Sequence, residues 1–168
     1  MSTKSLSLLI LLATVVFISG CLDDNNGTKV DNPGSDVIPK TNLPAGFTYL
    51  GVHDIQMVIG GNSMNATEGI YRYNGDEIYI QAVKNDNPSS LLSQYKEDIR
   101  KQYKGDFSPF EDVQLNGYKA TKITDYSIIK GEQRSRYSVV WANDKYMFLV
   151  GKSFDNNSLM ALATTTGN

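Results

Sequence analysis

Two Asn-Gly pairs, Asn74-Gly75 and Asn116-Gly117, each sit between runs rich in β-branched and aromatic residues. Asparagine and glycine both accept the positive φ of a tight two-residue turn, so each pair folds its flanking runs back as antiparallel neighbours. The first pair predicts strands over 66–73 and 77–83, with Ile78, Ile80 and Ala82 on one face of the second. The second pair joins strands over 113–115 and 118–125, with Ile128-Ile129 ending that run.

Upstream, Leu43-Pro44-Ala45-Gly46 reads as a turn into a strand over 47–52, which 54–59 continues or pairs with. Gly60-Gly61-Asn62-Ser63-Met64-Asn65 reads as a loop by its glycine and asparagine content. Downstream, Lys130-Gly131-Glu132 turns into a strand over 136–141, and Asn143-Asp144 turns into another over 145–150. Both faces of this last pair are apolar, through Val139, Val140, Trp141, Met147 and Phe148, so they belong at the covered centre of a sheet.

Between the two strand groups lies one long helix, over about 88–103. Asn87 can cap it, Pro88 suits its first position, and Leu91, Leu92, Tyr95, Ile99 and Tyr103 recur at three- and four-residue spacing. Gly105 is a natural stop. A short C-terminal helix, capped by Asp155 or Ser158, carries Leu159, Met160, Leu162 and Ala163. The expected fold class is therefore α+β: an antiparallel sheet of about six strands with both helices packed on it.

The N-terminus has a different character. One basic residue, Lys4, precedes a Leu-, Val- and Ile-rich run over 6–17, and Ile18-Ser19-Gly20 then leads into Cys21. This is the order of a secretory signal peptide, and the run falls short of the roughly 20 residues that span a bilayer. The ending resembles the lipobox of prokaryotic lipoproteins. That resemblance implies cleavage between Gly20 and Cys21 and a diacylglyceryl thioether on Cys21. Each buried methylene contributes about 0.8 kcal/mol, so two acyl chains hold firmly where one holds weakly. Cys21 is the only cysteine, which excludes an intramolecular disulfide and any cysteine-based metal or redox motif.

The expected organisation is a signal peptide over 1–20, a lipidated cysteine and tether over 21–42, and one folded domain over 43–168. The tether is rich in Asp, Asn, Gly and Pro and too poor in apolar residues to offset the entropy of ordering. As a coil of about 20 residues it reaches roughly 25 Å. The chain is mildly acidic, with a net charge of −2, and has no clustered basic face of the kind that binds nucleic acid. Attachment to the membrane would rest on lipid rather than on charge.

Chemistry-bearing patterns are sparse. His53 is the sole histidine; with no cysteine nucleophile and no second histidine it supports neither a catalytic dyad nor a zinc site, and we read it as a strand-edge residue. The acidic pairs Asp76-Glu77, Glu97-Asp98 and Glu111-Asp112 read as solvated charge. No catalytic residue, metal ligand or cofactor is expected. Ten tyrosines are the most suggestive feature: a row of exposed rings, with Tyr71, Tyr73 and Tyr79 on the first hairpin and Trp141 beyond, could offer a binding face for glycan or protein.

Over 43–166 the domain also resembles two extracytoplasmic types. One is the uncharacterised domain of membrane-bound anti-sigma-like and lipoprotein chains, on the strength of Leu43-Pro44-Ala45-Gly46, Leu115-Asn116-Gly117-Tyr118 and Val139-Val140-Trp141. The other is the PsbP-like fold, similar in its strand–helix–strand order. Fold does not fix function. The expectation is a non-enzymatic, lipid-anchored binding or accessory domain on the outer face of a cell membrane, with an envelope protein or glycan as partner. The alternative is a carrier of a small ligand or lipid in a cleft between sheet and helix, near Phe148, Trp141 and Ile99.

Overall fold

The computed structural model describes residues 34–167; Gly20, Cys21, the leader and most of the tether lie outside them. The elements run β1 (Thr48–Ile59), β2 (Asn62–Tyr73), β3 (Asp76–Lys84), α1 (Pro88–Arg100), β4 (Phe110–Leu115), β5 (Tyr118–Ile129), β6 (Glu132–Ala142), β7 (Tyr146–Ser153) and α2 (Asn156–Ala163). The fold is α+β. The strands form one antiparallel sheet in the order β1-β2-β3-β7-β6-β5-β4. The chain meanders through three strands, crosses by α1 to the far edge, and meanders back until β7 closes the gap beside β3.

The count is seven strands rather than about six. β1 runs as one strand through 48–59, with a bulge between Tyr49 and Gly51. The segment expected as a six-residue loop is only a turn. Gly60 and Gly61 take φ of 59° and 78°, and Asn62 already pairs with Ile59. Asn74-Gly75, Asn116-Gly117 and Lys130-Gly131 adopt the same doubly positive φ. These are the turns whose twist matches that of the flanking strands.

The two helices cover opposite faces. Leu159 and Leu162 of α2 join Tyr71, Ile80, Trp141 and Phe148 in the larger core. Leu91 of α1 joins Ile59, Ala66, Val83 and Met147 in the smaller one. Successive strand residues alternate faces, so Phe148 and its neighbour Met147 serve different cores. The expected central, doubly covered strands are thus β6 and β7. Each fully buried Leu, Ile or Phe contributes about 1.5–3 kcal/mol.

Helix ends follow their caps. Ser90 N–H donates to Asn87 Oδ1 at 3.1 Å, with Pro88 at the start of α1. The helix ends at Arg100, not near 103, because Gln102 and Tyr103 tighten onto Ile99 and Arg100 in shorter-range bonds. Tyr103 then turns its hydroxyl to Asp125 at 3.2 Å. In α2, Asp155 caps by accepting from the amides of Asn157 at 2.8 Å and Ser158 at 3.4 Å. A strap over 34–47 crosses the α2 face: Ile38 is buried in the larger core, and Tyr71 Oη donates to Pro39 O at 2.6 Å.

Candidate functional site

Where β1, β2 and β3 lie side by side, Thr67 pairs across the sheet with Asp54 on one side and Ala82 on the other. Alternation places these three on the α2 face, and Lys84, two residues beyond Ala82, shares it. Gly34 of the strap stands over them so closely that a Cβ there would sit 3.1 Å from Thr67 Oγ1. β3 ends at Lys84, and Asn85 and Asp86 form the short link to α1. That link is fixed by the Asn85 amide donating to Lys145 O at 3.1 Å and the Asn87 amide donating to Asn85 Oδ1 at 2.8 Å.

The result is a cleft of about 540 Å³, bounded by Asp54, Asn65, Thr67, Lys84, Asn85 and Asp86, with Ala66, Ala82 and Gly34 supplying small, flat surface. Its volume falls within the roughly 300–1,000 Å³ typical of small-molecule sites. Two carboxylates, an ammonium, two amides and a hydroxyl can hold a small polar molecule by charge and hydrogen bonds. Thr67 Oγ1 already donates to Asp54 Oδ1 at 3.4 Å, which orients that carboxylate. The cleft brings together no nucleophile with a histidine base. Among the described residues no group of three or more His, Asp or Glu could hold a metal ion, and no helix is long and apolar enough to cross a membrane.

A second concavity, about 440 Å³, lies between α1 and the β4–β5 pair. Lys96, Asp112, Gln114, Lys119 and Thr121 line it together with Leu92, and Lys96 Nζ donates to Thr121 Oγ1 at 2.9 Å. This is a gap between helix and sheet, lined by polar side chains and by Leu92, Val113 and Ala120. It is not the cleft expected near Phe148, Trp141 and Ile99. Phe148 and Trp141 pack under α2, ring centroids 5.0 Å apart, whereas Ile99 belongs to α1 on the opposite face.

The expected aromatic face is likewise not assembled. Tyr71 and Trp141 are fully buried, because both point into the α2 core where Tyr71 can bond to Pro39. Tyr73 stacks on Phe47 at 4.7 Å. Tyr79 pairs with Ile70, not with Tyr71, so it lies on the other face of the sheet. Burial pushes up the pKa of Tyr71, with the neighbouring Tyr49 adding to it. Tyr95, on α1, is pushed up to about 12 by burial alone.

His53 is a half-exposed edge residue, as read, and Nε2 meets Glu68 Oε1 at 3.2 Å. Glu68 is nearly buried and also accepts from Gln81 Nε2 at 2.5 Å. Five of the six acidic-pair residues are exposed, as solvated charge should be, and Asp98 is half-buried; some also hold partners. Glu111 meets Lys122 at 2.5 Å, and Asp98 binds both the Gly60 amide and Lys101. Sequence reasoning missed the cleft because the loop reading of 62–65 hid the register that sets Thr67 opposite Asp54. Recognising Gly60-Gly61 as a two-residue turn fixes that register.

No family model matches the chain, and no curated protein matches it. Among solved structures it is similar to that of a GTP binding regulator from Thermotoga maritima, with a TM-score of 0.42 and 11% identity, over 74% of this chain and 83% of that one.

Proposed function

We propose that this chain is a non-enzymatic binding domain, held to the outer face of a prokaryotic cytoplasmic membrane by lipid on Cys21. The carrying observation is the apolar run closed by Ile18-Ser19-Gly20-Cys21, with the one thiol of the chain at the position lipidation needs. In this reading 1–20 is removed, the tether spaces the domain from the headgroups, and the cleft beside Asp54 and Lys84 takes a small polar group of an envelope protein or glycan. Its mixture of charges and amides suits hydroxyl- and amine-bearing groups.

The first test is the intact mass of the membrane-extracted protein beside a Cys21→Ala variant. A chain beginning at Cys21 with added acyl mass, absent from the variant, supports the anchor. An unprocessed precursor, or a cleaved chain without lipid, overturns it. Purified protein that turned over an envelope substrate, and lost that activity in His53→Ala, would overturn the non-enzymatic part.

Carriage of a small ligand is a second reading, favoured by the gap between α1 and β4–β5. Its lining of Lys96, Asp112 and Gln114 fits a polar cargo. Lys96→Ala should weaken uptake of such a cargo and leave ligands of the Asp54 cleft untouched.

A further inference from the structure

An open sheet has two edges, and proteins blunt them with short strands, charges, bulges or covering loops. Here β4 is six residues long and begins Phe110-Glu111-Asp112, with Pro109 O accepting from Thr124 N–H beside it. The part of β5 that runs past β4 is also blocked, because Asp125 Oδ1 accepts from the Tyr126 amide at 2.7 Å. The first part of β1 carries the bulge at Tyr49–Gly51. Among the described residues, the remaining stretch of β1, 52–58, has no bulge, lysine or proline, and Asp54 is its one carboxylate.

Its outward groups follow from the turn. The two-residue turn makes Ile59 and Asn62 a hydrogen-bonded pair, so the odd-numbered residues 53–59 bond to β2 and Val52, Asp54, Gln56 and Val58 present N–H and C=O groups outward. No backbone hydrogen bond to these groups occurs among the described residues outside the sheet. The two titratable side chains of the stretch are turned onto the sheet faces, His53 toward Glu68 and Asp54 toward Thr67. Val58 is left 71% exposed.

We propose that this edge pairs with the same edge of a second copy of the chain, antiparallel, about a two-fold axis that runs through Ile55 perpendicular to the sheet. In that register the outward residues meet as hydrogen-bonding pairs: Asp54 faces Gln56 of the other copy, and Val52 faces the exposed Val58. Ile55 meets its own counterpart on the α1 face. An axis through Asp54 would instead set carboxylate against carboxylate, which is destabilising. The perpendicular axis keeps both straps on the same face of the joined sheet, so both chains could be tethered to one bilayer. A contact of seven residues a side is small beside the roughly 1,200–2,000 Å² of stable interfaces. The pairing is therefore weak in solution, and membrane confinement would raise its effective concentration. It does not depend on the ligand or on the anchor.

The test uses the full chain with Ile55→Cys. Directly opposed residues of a non-hydrogen-bonded pair stand about 4.5 Å apart at Cα, within the span of a disulfide. Oxidation should give a linked dimer from Ile55→Cys, and neither from the unchanged chain, which controls for Cys21, nor from Ile128→Cys, whose position is 78% exposed. Equal linking at both positions, or linking of Ile55→Cys only to a different protein, would overturn the proposal. Sedimentation of Gln56→Asp and Gln56→Lys tests the register without a cysteine. Gln56→Asp sets two like-charged pairs across the axis and should weaken association roughly 3- to 30-fold, while Gln56→Lys retains or strengthens it. Equal effects of the two substitutions would overturn the register.

Discussion

The Gly60 amide donates to Asp98 Oδ2 at 2.6 Å, joining the tip of the β1–β2 hairpin to α1, 38 residues further along the chain. The amide and Lys101 together hold the Asp98 carboxyl below its usual range. A hairpin tip of two glycines is thereby docked instead of loose.

Asp98→Ala should release that tip. Hydrogen exchange at Gly60 and Gly61 is expected to accelerate markedly, with the core amides of β6 and β7 unchanged. Unaltered exchange at the tip would mean that packing of Ile59 alone holds it.

Trp141 is fully buried against Phe148, and its Nε1 has no hydrogen-bond partner among the described residues. Trp141→Ala should cost about 3–5 kcal/mol. Trp141→Phe should cost distinctly less, since it keeps a ring and removes the unpaired donor. Urea unfolding followed by circular dichroism separates the two. Because this indole lies in the α2 core and not in the cleft, its emission should stay blue-shifted and unmoved by cleft ligands.

Lys130 holds a φ of 50° ahead of Gly131, a conformation that asparagine tolerates better than lysine does. Lys130→Asn should therefore stabilise the protein by about 0.5 kcal/mol, seen as a higher urea midpoint with the same slope.

Gly69 lies under the strap, where a Cβ would overlap Ile38 Cγ2 and crowd Tyr71 Oη. Gly69→Ala should cost about 1–3 kcal/mol and speed proteolysis within 34–47, because the cheapest relief is to lift the strap.

Asp155 is held below its usual pKa by the Ser158 hydroxyl and then the Asn157 amide. Asp125 is also lowered: its burial acts the other way, but the Tyr126 amide, Lys152 and Tyr103 outweigh it. A carboxyl whose folded pKa lies below the unfolded value of about 3.9 adds stability at higher pH. That contribution is lost as pH falls through the folded value. Stability should accordingly decline below about pH 4. Asp155→Ala should cost about 1 kcal/mol near neutrality, a difference that shrinks as the wild-type carboxyl is protonated in acid.

Much of the fold was legible because local chemistry and tertiary structure agree. Asn74-Gly75 and Asn116-Gly117 form the expected turns, Asn87-Pro88 starts α1, and the doubly apolar runs around Val140 and Met147 became the sheet centre. Legibility failed where side-chain direction decided the outcome. Tyr71, Tyr73 and Tyr79 lie close in sequence, yet a ring's exposure depends on which face its strand position serves and on what covers that face. The opposed positions of α1 and α2 depend on the crossover path, which periodicity cannot report. The cleft was invisible for a related reason: Asp54, Thr67 and Lys84 converge only after two hairpins have set their registers.

The placement of β7 also governs when the molecule can become itself. The last strand to be made sits between β3 and β6, so the N-terminal meander and the β4–β6 meander have no hydrogen bonds to each other until it arrives. A nascent chain therefore has to extend past residue 153 before this sheet can be zipped shut.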